Sequence, residues 1–127
     1  MPDLILLMTQ DASQRMSDSV FVKITDALTL AVVETLGFDD SKSVVSYEIV
    51  ARRTRNANAI QVLCVASKSE ERLKNIIDLR RALSEALLSL EGDAECLEYF
   101  HMVGKVETWP IMPDGNWGEV IVGSEGL

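Results

Sequence analysis

Pro2, directly behind Met1, has the most distinctive chemistry in the chain. Once Met1 is cut off, Pro2 carries a secondary amine, a basic nitrogen held on a rigid ring. The apolar run Asp3-Leu4-Ile5-Leu6-Leu7-Met8 that follows reads as a buried strand, which holds such a nitrogen in place. Proline is also a plain strand-starter, because its missing N–H costs nothing at the first position of a strand. Basic side chains form the second group of candidates. Lys68 stands between an apolar strand and a helix start, and Arg52, Arg53 and Arg55 fall in one polar stretch, Arg52–Asn58. Such a charge run reads first as a solvated connection. Trp109 is a candidate pocket wall, although tryptophans more often serve packing.

Other chemistries find less support. One histidine, His101, gives no basis for a zinc site, which takes three or four ligands. Cys64 and Cys96 stand in apolar, strand-like settings and read as buried thiols rather than a disulfide or metal pair. There is no glycine-rich phosphate loop. A formal net charge of −8 argues against nucleic acid or an anionic membrane as partner. No apolar run approaches the ~20 residues that span a bilayer, and the first run lacks the basic leader of a signal peptide. The expected compartment is the cytoplasm.

The elements that position these residues follow from periodicity. The chain has 127 residues, 47% hydrophobic and 25% charged, which fits one soluble domain over 1–127. After the strand at 3–9, a helix from about Asp11 or Ser17 to Leu36 carries Val20, Ile24, Ala27, Leu28, Ala31 and Thr35 on one stripe and stops at Gly37. A second strand runs from Ser43 to Ala51, and a third from Ala59 to Ser67. Ser67 and Glu70 have capping-box spacing and open a second helix that ends near Gly92. A fourth strand is expected over Glu95–Val103, and 104–127 forms a hairpin-like tail with the short run Val120-Ile121-Val122.

The order is β-α-β-β-α-β, with one unit over 2–51 and a second over 59–103. It predicts an α+β domain, a four-stranded sheet with both helices on one face. The third strand is apolar on both faces: Ile60, Val62, Cys64 and Ala66 on one, Leu63 and Val65 on the other. Two helices cover only one face, so other copies of the chain are expected on the second.

These features together resemble the tautomerase superfamily, and within it malonate semialdehyde decarboxylase and tautomerase-like relatives. The likeness rests on Pro2 before the first strand, the helix ending Leu36-Gly37-Phe38, the segment Val65-Ala66-Ser67-Lys68-Ser69-Glu70-Glu71, and Glu107-Thr108-Trp109 followed by Gly118-Glu119-Val120. It implies a homotrimer and a cofactor-independent site, with no metal, acting on a small keto or enol carboxylic acid. Pro2 would be the catalytic acid or base. Lys68, Arg52, Arg53, Arg55 and Trp109 would bind the substrate. The decarboxylases carry two arginines where this chain has Lys68, and Lys42 stands near the place of their aspartate, so tautomerisation is expected ahead of decarboxylation or hydration. The alternative is a non-catalytic oligomeric binding or structural module that kept the fold without the site.

Overall fold

The computed structural model describes residues 3–37, 44–51, 59–65, 76–104, 106–113 and 120–122. Its first strand, β1 (Asp3–Met8), buries Leu4, Leu6 and Met8 and leaves Asp3, Ile5 and Leu7 half-buried on the other side. This two-residue alternation is that of a strand with one face against a core. Thr9 ends it and caps a short helix, α1 (Gln10–Arg15), its Oγ1 accepting from the Ala12 N–H at 3.2 Å.

Of the two expected starts, Ser17 opens the long helix, and Asp11 belongs to the separate short one. Met16 is extended, and the Ser17 hydroxyl accepts from the Val20 N–H at 3.1 Å to start α2 (Asp18–Leu36). A serine oxygen that satisfies a first-turn N–H favours a new helix start over continuation of the old one. Helix α2 buries Val20, Ile24, Leu28 and Ala31 of the expected stripe, together with Thr25 and Val32. It ends at Gly37, whose φ of 74° lies in the left-handed region that glycine adopts without steric cost.

Strands β2 (Val45–Val50) and β3 (Ile60–Val65) both lie beside β1. Strand β2 runs parallel to β1, from Asp3↔Val45 to Met8↔Val50, and β3 antiparallel, from Asp3↔Val65 to Met8↔Ile60. Helix α3 (Ile76–Ser89) packs on α2 through buried Leu79 and Leu83.

Residues 95–103, expected as the fourth strand, are helical: α4 spans Ala94–Val103. The Asp93 carboxylate accepts from the Cys96 N–H at 3.1 Å and caps its start. Cys96 and Tyr99 are buried, and Phe100 and Val103 pack against the core, a 3- and 4-residue rhythm that only a helix can turn to one side. The strand that closes the second β-α-β order is β4 (Val106–Pro113), parallel to β3 from Ile60↔Val106 to Val65↔Ile111. It pairs antiparallel with β5 (Val120–Val122). The sheet order is β2-β1-β3-β4-β5.

The core lies on one face of this sheet. Leu4, Leu6, Met8, Ile60, Val62 and Cys64 meet Val20, Ile24, Leu28, Val32, Leu79, Leu83, Cys96 and Tyr99 from the helices. The fold class expected from the sequence, α+β with helices on one face, is the one observed. On the opposite face Ile5, Leu7, Leu63 and Val65 are half-buried and outside that core, and Tyr47 and Ile49 are 45% and 44% exposed. The third strand is therefore two-faced, as its composition predicts. Among the described residues no helix is long and apolar enough to cross a membrane.

Candidate functional site

The register gives the sheet two distinct ends. At one, Asp3 of β1 lies between Val45 of β2 and Val65 of β3, and Val65 pairs with Ile111 of β4. At the other, the Ala51 N–H donates to the Met8 carbonyl and the Thr9 N–H to the Ala59 carbonyl, both at 3.0 Å. A six-residue strand separates the two ends by about 17 Å.

Pro2, Lys68, Arg52, Arg53 and Arg55 lie outside the described residues. Their nearest described neighbours in the chain are well separated into the two ends. Asp3, directly after Pro2, and Val65, three residues before Lys68, are register partners. Ala51, directly before Arg52, is at the opposite end. Trp109 lies on β4 at the register position of Leu63.

The other chemistry-bearing side chains have structural roles. Tyr99 is buried on α4, and its hydroxyl donates to the Ala12 carbonyl at 2.7 Å, joining α4 to α1. Burial pushes its phenol well above the ordinary range, and the Glu48 and Asp11 carboxylates add to the shift, so it acts as a fixed neutral donor. Replacing it with phenylalanine is expected to cost about 1–2 kcal/mol, because the Ala12 carbonyl then loses its partner in a buried setting. Urea unfolding of Tyr99→Phe against the parent measures this, and an unchanged midpoint would contradict it.

Lys23 of α2 bridges to α4, its Nζ 2.9 Å from Asp93 and 3.4 Å from Glu95. The hydrogen bond from Lys23 holds the Asp93 carboxyl below its ordinary value, and the same bond holds Lys23 above its own. Asp93 thus serves both as the cap of α4 and as its tether to α2. Sequence reading missed this pair, although an aspartate three residues before Cys96 carries the signal of a helix cap.

Ser13 of α1 donates to the Glu48 carboxylate of β2, and Arg15 pairs with Asp11 at 2.9 Å within α1. His101, which falls in the segment expected as a strand, is exposed in the last turn of α4. Cys96 sits on a helix rather than a strand, but both cysteines are buried as expected. Burial raises the Cys96 thiol, which disfavours the reactive thiolate. Among the described residues no group of three or more His, Cys, Asp or Glu is placed to hold a metal.

The sequence matches no family model and no curated protein. Solved structures do match it over most of their length. A macrophage migration inhibitory factor-like protein from Entamoeba histolytica superposes with a TM-score of 0.54 at 11% identity, covering 93% of this chain and 94% of its own. A fused 4-OT, designated R7 and described as a wild-type asymmetric trimer, gives 0.53 at 18% identity, with 92% and 94% covered. Malonate semialdehyde decarboxylase gives 0.51 at 14% identity, with 87% and 84% covered. These likenesses cover most of the chain, and at such identities they show a fold shared with macrophage migration inhibitory factor-like, 4-OT and malonate semialdehyde decarboxylase structures.

Proposed function

We propose that the protein is a cofactor-independent tautomerase-like enzyme that uses the amine of Pro2 as general acid and base on a small keto or enol carboxylic acid. What supports the reading is the register at one end of the sheet: the chain enters β1 from Pro2 beside the place where it leaves β3 toward Lys68. A secondary amine there moves a proton between the carbon next to a carbonyl and the enol oxygen, which is tautomerisation. Lys68 supplies the positive charge for the substrate carboxylate and for the developing enolate. The helix start expected at Ser67–Glu71, which lies outside the described residues, would add backbone N–H groups that favour an anion. Trp109, paired with Leu63 on β4, serves as a wall of the pocket in this reading.

Arg52, Arg53 and Arg55 follow Ala51 at the opposite end of the sheet. In this reading they therefore serve the site of a neighbouring copy, which the open sheet face brings alongside. A homotrimer is the proposed assembly, by analogy with fused 4-OT proteins described as trimers. The cytoplasm is the proposed location.

The test is ketonisation of phenylenolpyruvate by purified protein lacking Met1, followed by ultraviolet absorbance. Turnover above the buffer rate is expected. A processed, folded protein with no activity on this or other small keto acids would favour the alternative, an oligomeric binding module on the same fold.

A further inference from the structure

We propose that Met102 is a site of reversible oxidation, and that the Arg15 guanidinium holds the sulfoxide oxygen and so fastens α1 to α4. Helix α4 meets α1 through two residues one turn apart. Tyr99 is buried, and its hydroxyl donates to the Ala12 carbonyl at 2.7 Å. Met102, three positions on, lies on the same side of the helix. It reaches the rim of that contact, where it is 48% exposed, and its Sδ lies 4.0 Å from Arg15 Nη1. Arg15 is anchored from within α1, its Nε donating to Asp11 Oδ1 at 2.9 Å. Half of the Arg15 side chain faces water, so an oxidant in solution reaches the sulfur beside it.

The other methionines whose side chains are described sit differently. Met8 is fully buried, and Met16 packs against the core. Oxidation of either puts a polar oxygen among apolar side chains. At Met102 the oxygen meets solvent and a cation. A thioether is a weak hydrogen-bond acceptor, and at 4.0 Å its contact with Arg15 contributes little. A sulfoxide is polar. An oxygen bonded to Sδ on the Arg15 side closes the gap to hydrogen-bond range, and its bond to the guanidinium is charge-assisted. Because Asp11 already holds the guanidinium, little rotamer freedom is lost in making that bond.

The oxidant is a hydroperoxide. The sulfur gives two electrons to the O–O bond, which breaks. One oxygen bonds to sulfur, and from hydrogen peroxide the other leaves as water with both hydrogens. A dithiol reverses the step, becoming a disulfide while the sulfoxide oxygen leaves as water. Methionine oxidation commonly loosens packing. Here it has the opposite sign and tightens the junction of two helices.

The test treats the full-length protein with dilute hydrogen peroxide and maps the added oxygen by mass after trypsin. Cleavage at Arg15, Lys23, Arg81 and Lys105 puts Met8, Met16 and Met102 in separate peptides. Peptide 82–105 is expected to gain one oxygen while those of Met8 and Met16 stay unchanged, with fragment ions assigning it to Met102 rather than Cys96. In the oxidised protein the Ser13 N–H, bonded to the Thr9 carbonyl, is expected to exchange with deuterium about tenfold more slowly. Arg15→Ala keeps the oxygen uptake and loses the slowing, and Met102→Leu shows neither; both replace exposed side chains and leave the core intact. Oxygen on Met8 or Met16 ahead of Met102, equal or faster exchange after oxidation, or slowing that survives Arg15→Ala would each overturn the proposal.

Discussion

Replacing Pro2 with alanine is expected to lower kcat/KM for phenylenolpyruvate ketonisation by about 10²-fold or more, within the range that a positioned acid–base group contributes. Alanine keeps an N-terminal amine of similar basicity, so the change does not simply delete the base. It deletes the ring. In proline the ring bars rotation about the N–Cα bond, so the lone pair has few directions relative to the Cα–C bond. In alanine the amine turns about the N–Cα bond, and only a fraction of its orientations face the substrate carbon. A variant carrying an extra residue that is not cleaved ahead of Pro2 should lose at least as much, because the nitrogen becomes an amide with no basicity. Neither change touches the described core, since β1 begins at Asp3 and its first buried side chain is Leu4. Unchanged turnover in both variants would remove Pro2 from the mechanism.

The second large effect concerns the open face of the sheet. Leu63 lies on β3, between β1 and β4 in the sheet order, and pairs with Ile5 on β1 and Trp109 on β4. Around it Ile5, Leu7, Val65, Tyr47 and Ile49 make an apolar surface outside the helix-side core. Contiguous apolar surface of this kind marks contact with another molecule, and a second and third copy are the proposed cover. A carboxylate at Leu63 would have to lose its water in that contact with no partner, a penalty of several kcal/mol per copy. Leu63→Asp is therefore expected to convert the assembly to monomers, read by size-exclusion chromatography with light scattering. Circular dichroism should stay that of the parent, because Ile60, Val62 and Cys64 still face the helices. A parent protein that is already monomeric, or a Leu63→Asp protein that stays assembled, would contradict the account of this face.

How far the sequence reveals the fold depends on how local each signal is. The run Leu4 to Met8, the stripe Val20, Ile24, Leu28 and Ala31, and the stop at Gly37 each lie within one element, and each appears where its pattern predicts. The break at Met16–Ser17 turns on one hydroxyl that caps α2, and the apolar stripe, which begins only at Val20, leaves the start open between Asp11 and Ser17. The segment 94–103 holds Tyr99, Phe100 and Val103, residue types that favour strands. Yet Cys96, Tyr99, Phe100 and Val103 also keep helical spacing, and the cap at Asp93 decides between the two. A strand over 95–103 is thus the wrong element for this segment, yet the β-α-β-β-α-β order holds because β4 follows directly. At the candidate site, the register brings the neighbours of Pro2 and Lys68 to one end and the neighbour of Arg52 to the other. No single-sequence pattern carries that separation, since it depends on which strands pair and in which direction.

The central claim is that Pro2 presents a free amine, and it is tested most directly by the intact mass of the purified protein. The account predicts the mass of residues 2–127, lighter than the full sequence by one methionine. A mass equal to residues 1–127 would contradict it, because the Pro2 nitrogen would then be an amide that can neither accept nor donate the proton.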